Sequence, residues 1–272
     1  MSWLGARAIL FCVPVILGGL PLAAQSSSYH LEFDDRTPSR AALVNDSAKS
    51  IEAFVALQRC QKPGSYSGFD NSRDILDIPR GVGSEILAAD GHPARSGVLE
   101  TGGRWQTNLA IFPENGDCRN HVSGVLFSDG SFEGEDAAVR GLKAWRDGLA
   151  AAVHHWADRI NQEKPDGSTL EALHDELKRR KSEDQMKLRK YKSDIRIDDP
   201  PQLLWQYWSG WLAVETNLEF RLSKDLSEGK ADENFRKLAD EINHWKMKID
   251  GNLALQKLNI VFPAISEPED KQ

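Results

Sequence analysis

The periodicity of the chain changes once, across residues 125–135, and that change restricts the fold more than any other feature. Upstream, short apolar runs alternate with polar residues as half-buried strands do. Downstream, Val139, Leu142, Trp145, Leu149, Val153, Trp156 and Ile160 recur at steps of three and four, one stripe along a helix of about 26 residues. Asp129 and Gly130 mark a hairpin at the boundary, since both residue types tolerate the positive φ of a tight turn. Gly134, Glu135 and Asp136 then give an exit and an acidic helix start, favourable at the positive end of a helix. An α+β fold is expected, strands first and helices after.

In the first half, strand patterns are read at 29–33, at 41–44 and at 51–60, where Ile51, Ala53, Val55 and Leu57 are expected on one face. Residues 61–83 hold Pro63, Gly64, Gly68, Pro79, Gly81 and Gly83 without a clear period, and read as a long surface loop or irregular edge structure. Strand patterns resume at 85–88, 104–112, 121–127 and 131–133, with Trp105 assigned to the core. About seven short strands separated by turns predict an immunoglobulin-like antiparallel β-sandwich over 25–134.

A helical layer or bundle of about four helices is expected over 135–262. The second helix begins at Ser168 with a capping box closed by Glu171, and carries Leu170, Leu173, Leu177 and Leu188 around a charged middle. The third follows Pro200 and Pro201, is the most apolar and is expected at the centre of its layer. The fourth carries Phe235, Leu238, Ile242, Trp245 and Ile249, and residues 263–272 form a loose tail.

The first 24 residues differ from all of this. Arg7 precedes an uncharged apolar run that ends in Ala23 and Ala24, the order of a secretory signal peptide. Pro14, Gly18, Gly19 and Pro21 interrupt the run below the roughly 20 apolar residues of a membrane span, so no stable span is expected after cleavage. An exported chain, periplasmic or secreted, follows as the expectation. Cleavage removes Cys12 and leaves Cys60 and Cys118, an even pair that suggests one disulfide in an oxidising compartment. Loss of Arg7 takes the formal net charge from −7 to −8, which disfavours a nucleic-acid partner.

Two Glu-x-x-His steps, Glu171 to His174 and Glu241 to His244, are the sharpest chemical pattern. With Glu215 on the third helix they resemble the ligand set of ferritin-like di-metal bundles, in which residues three apart share a helix face. Against this, Glu171 is occupied by the capping box and the first helix offers no mid-helix Glu, so no metal or other cofactor is assigned. His154, His155 and Asp158 form a second metal-like group, but adjacent helical residues point to different faces. Asp70, Asp74 and Asp77 lack the spacing of a calcium loop. The basic run 178–192 is interspersed with acids and reads as a salt-bridged face. Six helical tryptophans are assigned to the core, with an apolar ligand groove as the rival account. No nucleophile elbow, zinc-protease or phosphate-loop motif occurs.

Phe127-Ser128-Asp129-Gly130-Ser131-Phe132-Glu133-Gly134-Glu135 resembles a motif of exported bacterial proteins of unknown function, in which a β-sandwich runs through a hairpin into a helical region. Residues 45–53 are similar to their early turn and strand. The resemblance implies a fold and brings no activity. The expected role is non-enzymatic: an interaction module for a protein or envelope component, with a metal-binding bundle as the alternative.

Overall fold

The computed structural model describes residues 28–34, 37–62, 65–76, 86–92, 94, 98–108, 118–163, 167–191, 200–228 and 231–252. The leader, the C-terminal tail, Leu109, Ile111 and Asp77 lie outside the described residues. The fold is mixed α+β, with two four-stranded antiparallel sheets and four helices.

The first sheet is built from β1 (Tyr29–Asp34), β2 (Thr37–Asn45), β5 (Ile86–Leu87) and β6 (Arg104–Asn108), in the order β1-β2-β6-β5. The second contains β3 (Ile51–Lys62), β4 (Ser65–Asp74), β7 (Cys118–Phe127) and β8 (Phe132–Gly134), in the order β4-β3-β7-β8. Tyr29, Leu43, Ile86 and Trp105 of the first sheet share one core with Ile51, Phe54, Val125 and Phe127 of the second. Trp105 meets Phe54 edge-on, ring centroids 5.3 Å apart.

The expectation of one buried face for β3 is corrected. From Ile51 to Gln58 every residue is buried. Phe54 and Ala56 face the first sheet, whereas Ala53 and Val55 pack with Ala138 and Leu142 of α1 (Asp136–Asn161). A bulge between Ile51 and Ala53 shifts the register, so Ile51 joins the Phe54 side despite its odd spacing. A strand covered on both faces loses the alternation by which sequence patterns are read.

Residues 65–74, expected as loop or irregular edge, form the regular edge strand β4. Few apolar residues mark it, because its neighbour β3 supplies the ladder. The hairpin from β7 to β8 is also tighter in its demands than expected. Gly130 has φ +81° and Asp129 does not have positive φ. Phe127 and Ser131 close a three-residue loop, with Gly130 N–H donating to the Phe127 carbonyl at 2.9 Å, the arrangement of a turn ending in a left-handed glycine. Asp129 Oδ1 instead accepts from the Ser131 N–H at 2.8 Å.

After β8 the chain turns directly into α1, which lies against the second sheet on one side and against α3 (Pro200–Glu228) and α4 (Ala231–Asp250) on the other. As expected, α3 is central among the helices, and α1 is the helix that joins them to the second sheet. α3 spans the gap between α1 and α2 (Gly167–Tyr191). α2 begins one residue before Ser168, which places Ser168 in the first turn and leaves Glu171 exposed. The expected stripes of α1, α2 and α4 meet in one large core, Trp156, Leu173, Leu218, Ile242 and Trp245 among them.

The crossing of α1 and α3 is made by backbone. A Cβ on Gly148 would stand 3.0 Å from Tyr207 Cα and closer still to its carbonyl, and one on Gly210 would stand 3.0 Å from the Leu149 nitrogen and closer to the Trp145 carbonyl. Only glycine at both positions allows that approach.

Candidate functional site

Among the described residues, the buried charged side chains fall into two groups that stand apart from the apolar cores. The first joins the second sheet to the helices. The β3 bulge that shifts Ile51 also turns Glu52 toward α1, and Asp74 ends β4 beside it. Arg146 of α1 is fully buried between them. Its Nε donates to Asp74 Oδ2 at 2.6 Å and its Nη2 to Asp74 Oδ1 at 2.8 Å, a two-pronged fork, while Nη1 donates to Glu52 Oε2 at 3.0 Å. Asn252, just past α4, donates to the same Glu52 oxygen at 2.9 Å. Burial alone favours a neutral guanidine. Asp74 and then Glu52 more than offset it, so Arg146 is held charged more firmly than in water.

The second group lies between α1, α2 and α3, where the helical core turns polar. Glu215 of α3 has no exposed surface. Its Oε1 accepts from Trp211 Nε1 at 2.8 Å. Its Oε2 is buried without a hydrogen-bond partner, and so is Nε1 of Trp156, the indole that approaches the same carboxyl from α1. Desolvation pushes the Glu215 carboxyl up to about 7, with Asp184 of α2 adding to the rise and the two indoles opposing it. Asp184 is itself buried and is met by Lys187 at 3.0 Å. Lys187 also stands 4.5 Å from the centre of the Trp208 ring, a cation-π distance.

His155 completes this seam from α1. Arg180 Nη1 donates to its Nε2 at 2.8 Å, which requires a neutral ring with its proton on Nδ1. Burial first, and then the Arg180 charge, hold the His155 pKa below its ordinary value. Arg180 also meets Glu176 at 3.3 Å, and Lys181 pairs with Glu219 across α2 and α3. At the edge of the seam, burial pushes the Asp147 carboxyl up to about 6 despite Lys143, and Tyr207 is raised by burial and by the acids Asp147 and Asp184.

The five candidate ligands from the Glu-x-x-His reading do not come together. His174 Nε2 bonds the Ser223 hydroxyl at 2.8 Å, Glu241 pairs with Arg221 at 3.0 Å, Glu215 is held by Trp211, and Glu171 and His244 are exposed. Among the described residues no three His, Cys, Asp or Glu side chains are placed to hold a metal ion. The adjacent histidines do diverge as expected: His154 meets Asp250 of α4 at 3.1 Å, while His155 faces α2 and α3, and Asp158 is taken by Lys246 at 2.9 Å. Asp74, considered for calcium, belongs to Arg146. The basic residues of α2 are in large part paired, Arg179 with Glu183, Arg180 with Glu176, Lys181 with Glu219 and Lys187 with Asp184. Of the helical tryptophans, Trp156 and Trp245 are core, and the other four are partly buried.

Arg146, Asp184 and Glu215 carry these two groups, yet only Glu215 drew attention from the sequence, and for a different chemistry. A signal existed. Steps of four and three from Leu142 lead through Arg146 to Leu149. The same steps lead from Leu177 through Lys181 and Asp184 to Leu188, and from Trp211 through Glu215 to Leu218. A charge on the apolar stripe of a helix is a buried charge with a partner to be found.

The register of β3 and β7 bears on the two cysteines. Cys60 and Cys118 are direct partners in the antiparallel ladder.

No family model, curated protein or solved structure matches this chain.

Proposed function

We propose that the mature chain is an exported, non-enzymatic binding module of the cell envelope or exterior, an immunoglobulin-like sandwich carrying a rigid helical layer as its interaction platform. The observation that carries this reading is the sheet connectivity. Lettered A, B, C, C′, D, E, F and G in chain order, the eight strands run A-B-E-D in one sheet and C′-C-F-G in the other, the strand neighbours of immunoglobulin domains. Such domains present partners on a stiff scaffold. Here the fully buried Arg146 ties that scaffold to α1, which supports a helical layer held in fixed orientation rather than tethered.

Export rests on residues 1–24, with the charged, apolar and small-residue order of a leader. A Cys60–Cys118 disulfide belongs to the same reading. Directly opposed residues of an antiparallel ladder have Cα atoms roughly 4.5–5.5 Å apart, inside the span a disulfide bridges. Lying on strands C and F, it would be a bridge within one sheet, unlike the bridge across the sheets of antibody domains. No described helix is long and apolar enough to cross a membrane, which fits a body free of spans once the leader is cut.

Expression of the full chain in a secreting host, followed by fractionation and N-terminal sequencing, tests the reading. A chain outside the cytosol that begins at Gln25 is the expected result. Retention of Met1 in a cytosolic product overturns export, and turnover of an envelope substrate that is lost on a point change overturns the non-enzymatic role.

A further inference from the structure

The Arg146 group has no fully buried side-chain donor or acceptor left without a partner. The seam between α1, α2 and α3 has such groups. Glu215 has no exposed surface, a single geometrically sound hydrogen bond and one unpartnered oxygen, and the nearby Trp156 indole has an unpartnered donor. Asp184, a second buried carboxylate, approaches from α2. We propose that Glu215 is a proton-operated latch that holds α2 against α1 and α3 when neutral and releases it when ionised.

The charges facing the latch define its action. From α1 come His155, kept neutral by the Arg180 donor, and the Trp156 indole. From α2 come Asp184 and Arg180, and Arg180 is already engaged by Glu176 and His155. Lys181 is spent on Glu219 and Lys187 on Asp184. The α4 side chains that share this core are apolar: Phe235, Leu238, Ile242, Trp245 and Ile249. While Glu215 carries its proton, Asp184 is the seam's one buried anion and Lys187 suffices for it. When the proton leaves to solvent, a second anion appears beside Asp184, and Arg180, whose effect at Glu215 is smaller than that of Asp184, offsets only part of the repulsion. Trp156 Nε1 then gains an acceptor, which binds α1 to α3 more closely, and the repulsion falls on α2 alone. The ordinary range of environmental pH lies across this transition, because burial brings the carboxyl to about 7.

Amide hydrogen exchange of the full mature chain, corrected for the intrinsic pH dependence of exchange, reads the latch. Between about pH 6 and about pH 8 the protection of α2 is expected to fall by up to about tenfold relative to α4, with a parallel change in tryptophan emission. Glu215→Gln is expected to abolish both changes. Asp184→Asn is expected to keep the emission change and lose the release of α2, since the indole response needs only Glu215 and the release needs both acids. Wild-type protection that is flat across this range overturns the proposal, as does a Glu215→Gln protein that still responds. Should Glu215→Gln fail to fold, carbon-13 titration of glutamate carboxyls in the wild-type chain decides: a Glu215 midpoint near neutrality with α2 amides moving in step supports the latch, and a midpoint at the ordinary glutamate value, or unmoved α2 amides, overturns it.

Discussion

Arg146 on α1 and Asp74 at the end of β4 are joined by two parallel hydrogen bonds of 2.6 and 2.8 Å, with the guanidinium wholly out of solvent. Their backbones belong to the helical layer and to the second sheet, so the pair decides how one half of the molecule is set against the other. Glu52 and Asn252 complete the group, and the β3 bulge is what turns Glu52 into it.

Replacing Arg146 with alanine leaves two carboxylates buried without their cation. Loss of one partner of a buried ion pair costs roughly 3–5 kcal/mol, so Arg146→Ala is expected to remove that much from the free energy of unfolding measured by denaturant titration. Arg146→Lys keeps the charge but not the fork, and is expected to recover only part of the loss.

Glycines of α1 and α3 separate a packing requirement from a propensity effect. Gly148→Ala and Gly210→Ala each force a methyl into backbone of the facing helix and are expected to lower the thermal midpoint sharply, by overpacking worth roughly 1–3 kcal/mol or more. At Gly141 the nearest atom to an added Cβ is Gln206 Cγ at 3.8 Å, an ordinary contact. Gly141→Ala is expected to stabilise by roughly 0.5–1 kcal/mol, the helix preference for alanine.

The pH dependence of stability has a definite sign at Glu215. Its folded pKa, about 7, lies above the ordinary 4.5, so the folded chain holds the proton more tightly than the unfolded chain. Stability from this group is complete below about pH 4.5, declines as pH rises toward about 7 and is then level, a total of roughly 3 kcal/mol. His155, depressed by burial, acts oppositely and costs stability as pH falls below its ordinary 6.5. Chemical denaturation of wild type and Glu215→Gln across this range is expected to converge at low pH and diverge in favour of the variant above neutrality.

For Cys60 and Cys118 the expected outcome is an absence of free thiols in protein recovered from an oxidising compartment, and one free thiol in Cys60→Ser. A bridge between them would close a loop of about 58 residues, for which chain entropy gives an upper figure of roughly 4 kcal/mol. Reduction is therefore expected to lower the denaturation midpoint.

At the passage from sheet to helix, Gly130 and Gly134 make different demands. Gly130→Val opposes a positive φ in the hairpin and is expected to impair folding. Gly134→Ala faces φ +113° and a Cβ only 2.7 Å from Gly124 Cα, so it is expected to be the more damaging of the two, beyond the roughly 1–3 kcal/mol of backbone strain. Soluble yield and the near-ultraviolet circular dichroism of each variant check the order.

Element type was readable wherever one face met solvent. The stripes of α1 and α4, the run of β1 and the turn at Gly130 all showed their period because polar residues alternate with apolar ones. β4 was not readable, since an edge strand with few apolar residues has no face to advertise. β3 was read with a single face that kept Ile51 with Ala53 and Val55, because cover on both sides and a bulge erase a period of two. Trp145 was placed on the α1 stripe beside Arg146, and the charge was passed over although its spacing suited the core better. Partners decide such cases: Glu52, Asp74 and Asn252 are 94, 72 and 106 residues from Arg146 in the chain, and no local pattern connects them.

The bond from Asn252 to Glu52 spans 200 residues. A nascent chain leaves the ribosome with Glu52 long before Asn252, so the set around Arg146 stays incomplete until residue 252 has emerged. Contacts of such long range are slow to form, because loop closure precedes any gain from them. The sheets and helices of this molecule therefore have a built-in order of assembly, in which the final docking waits for the residue just past α4.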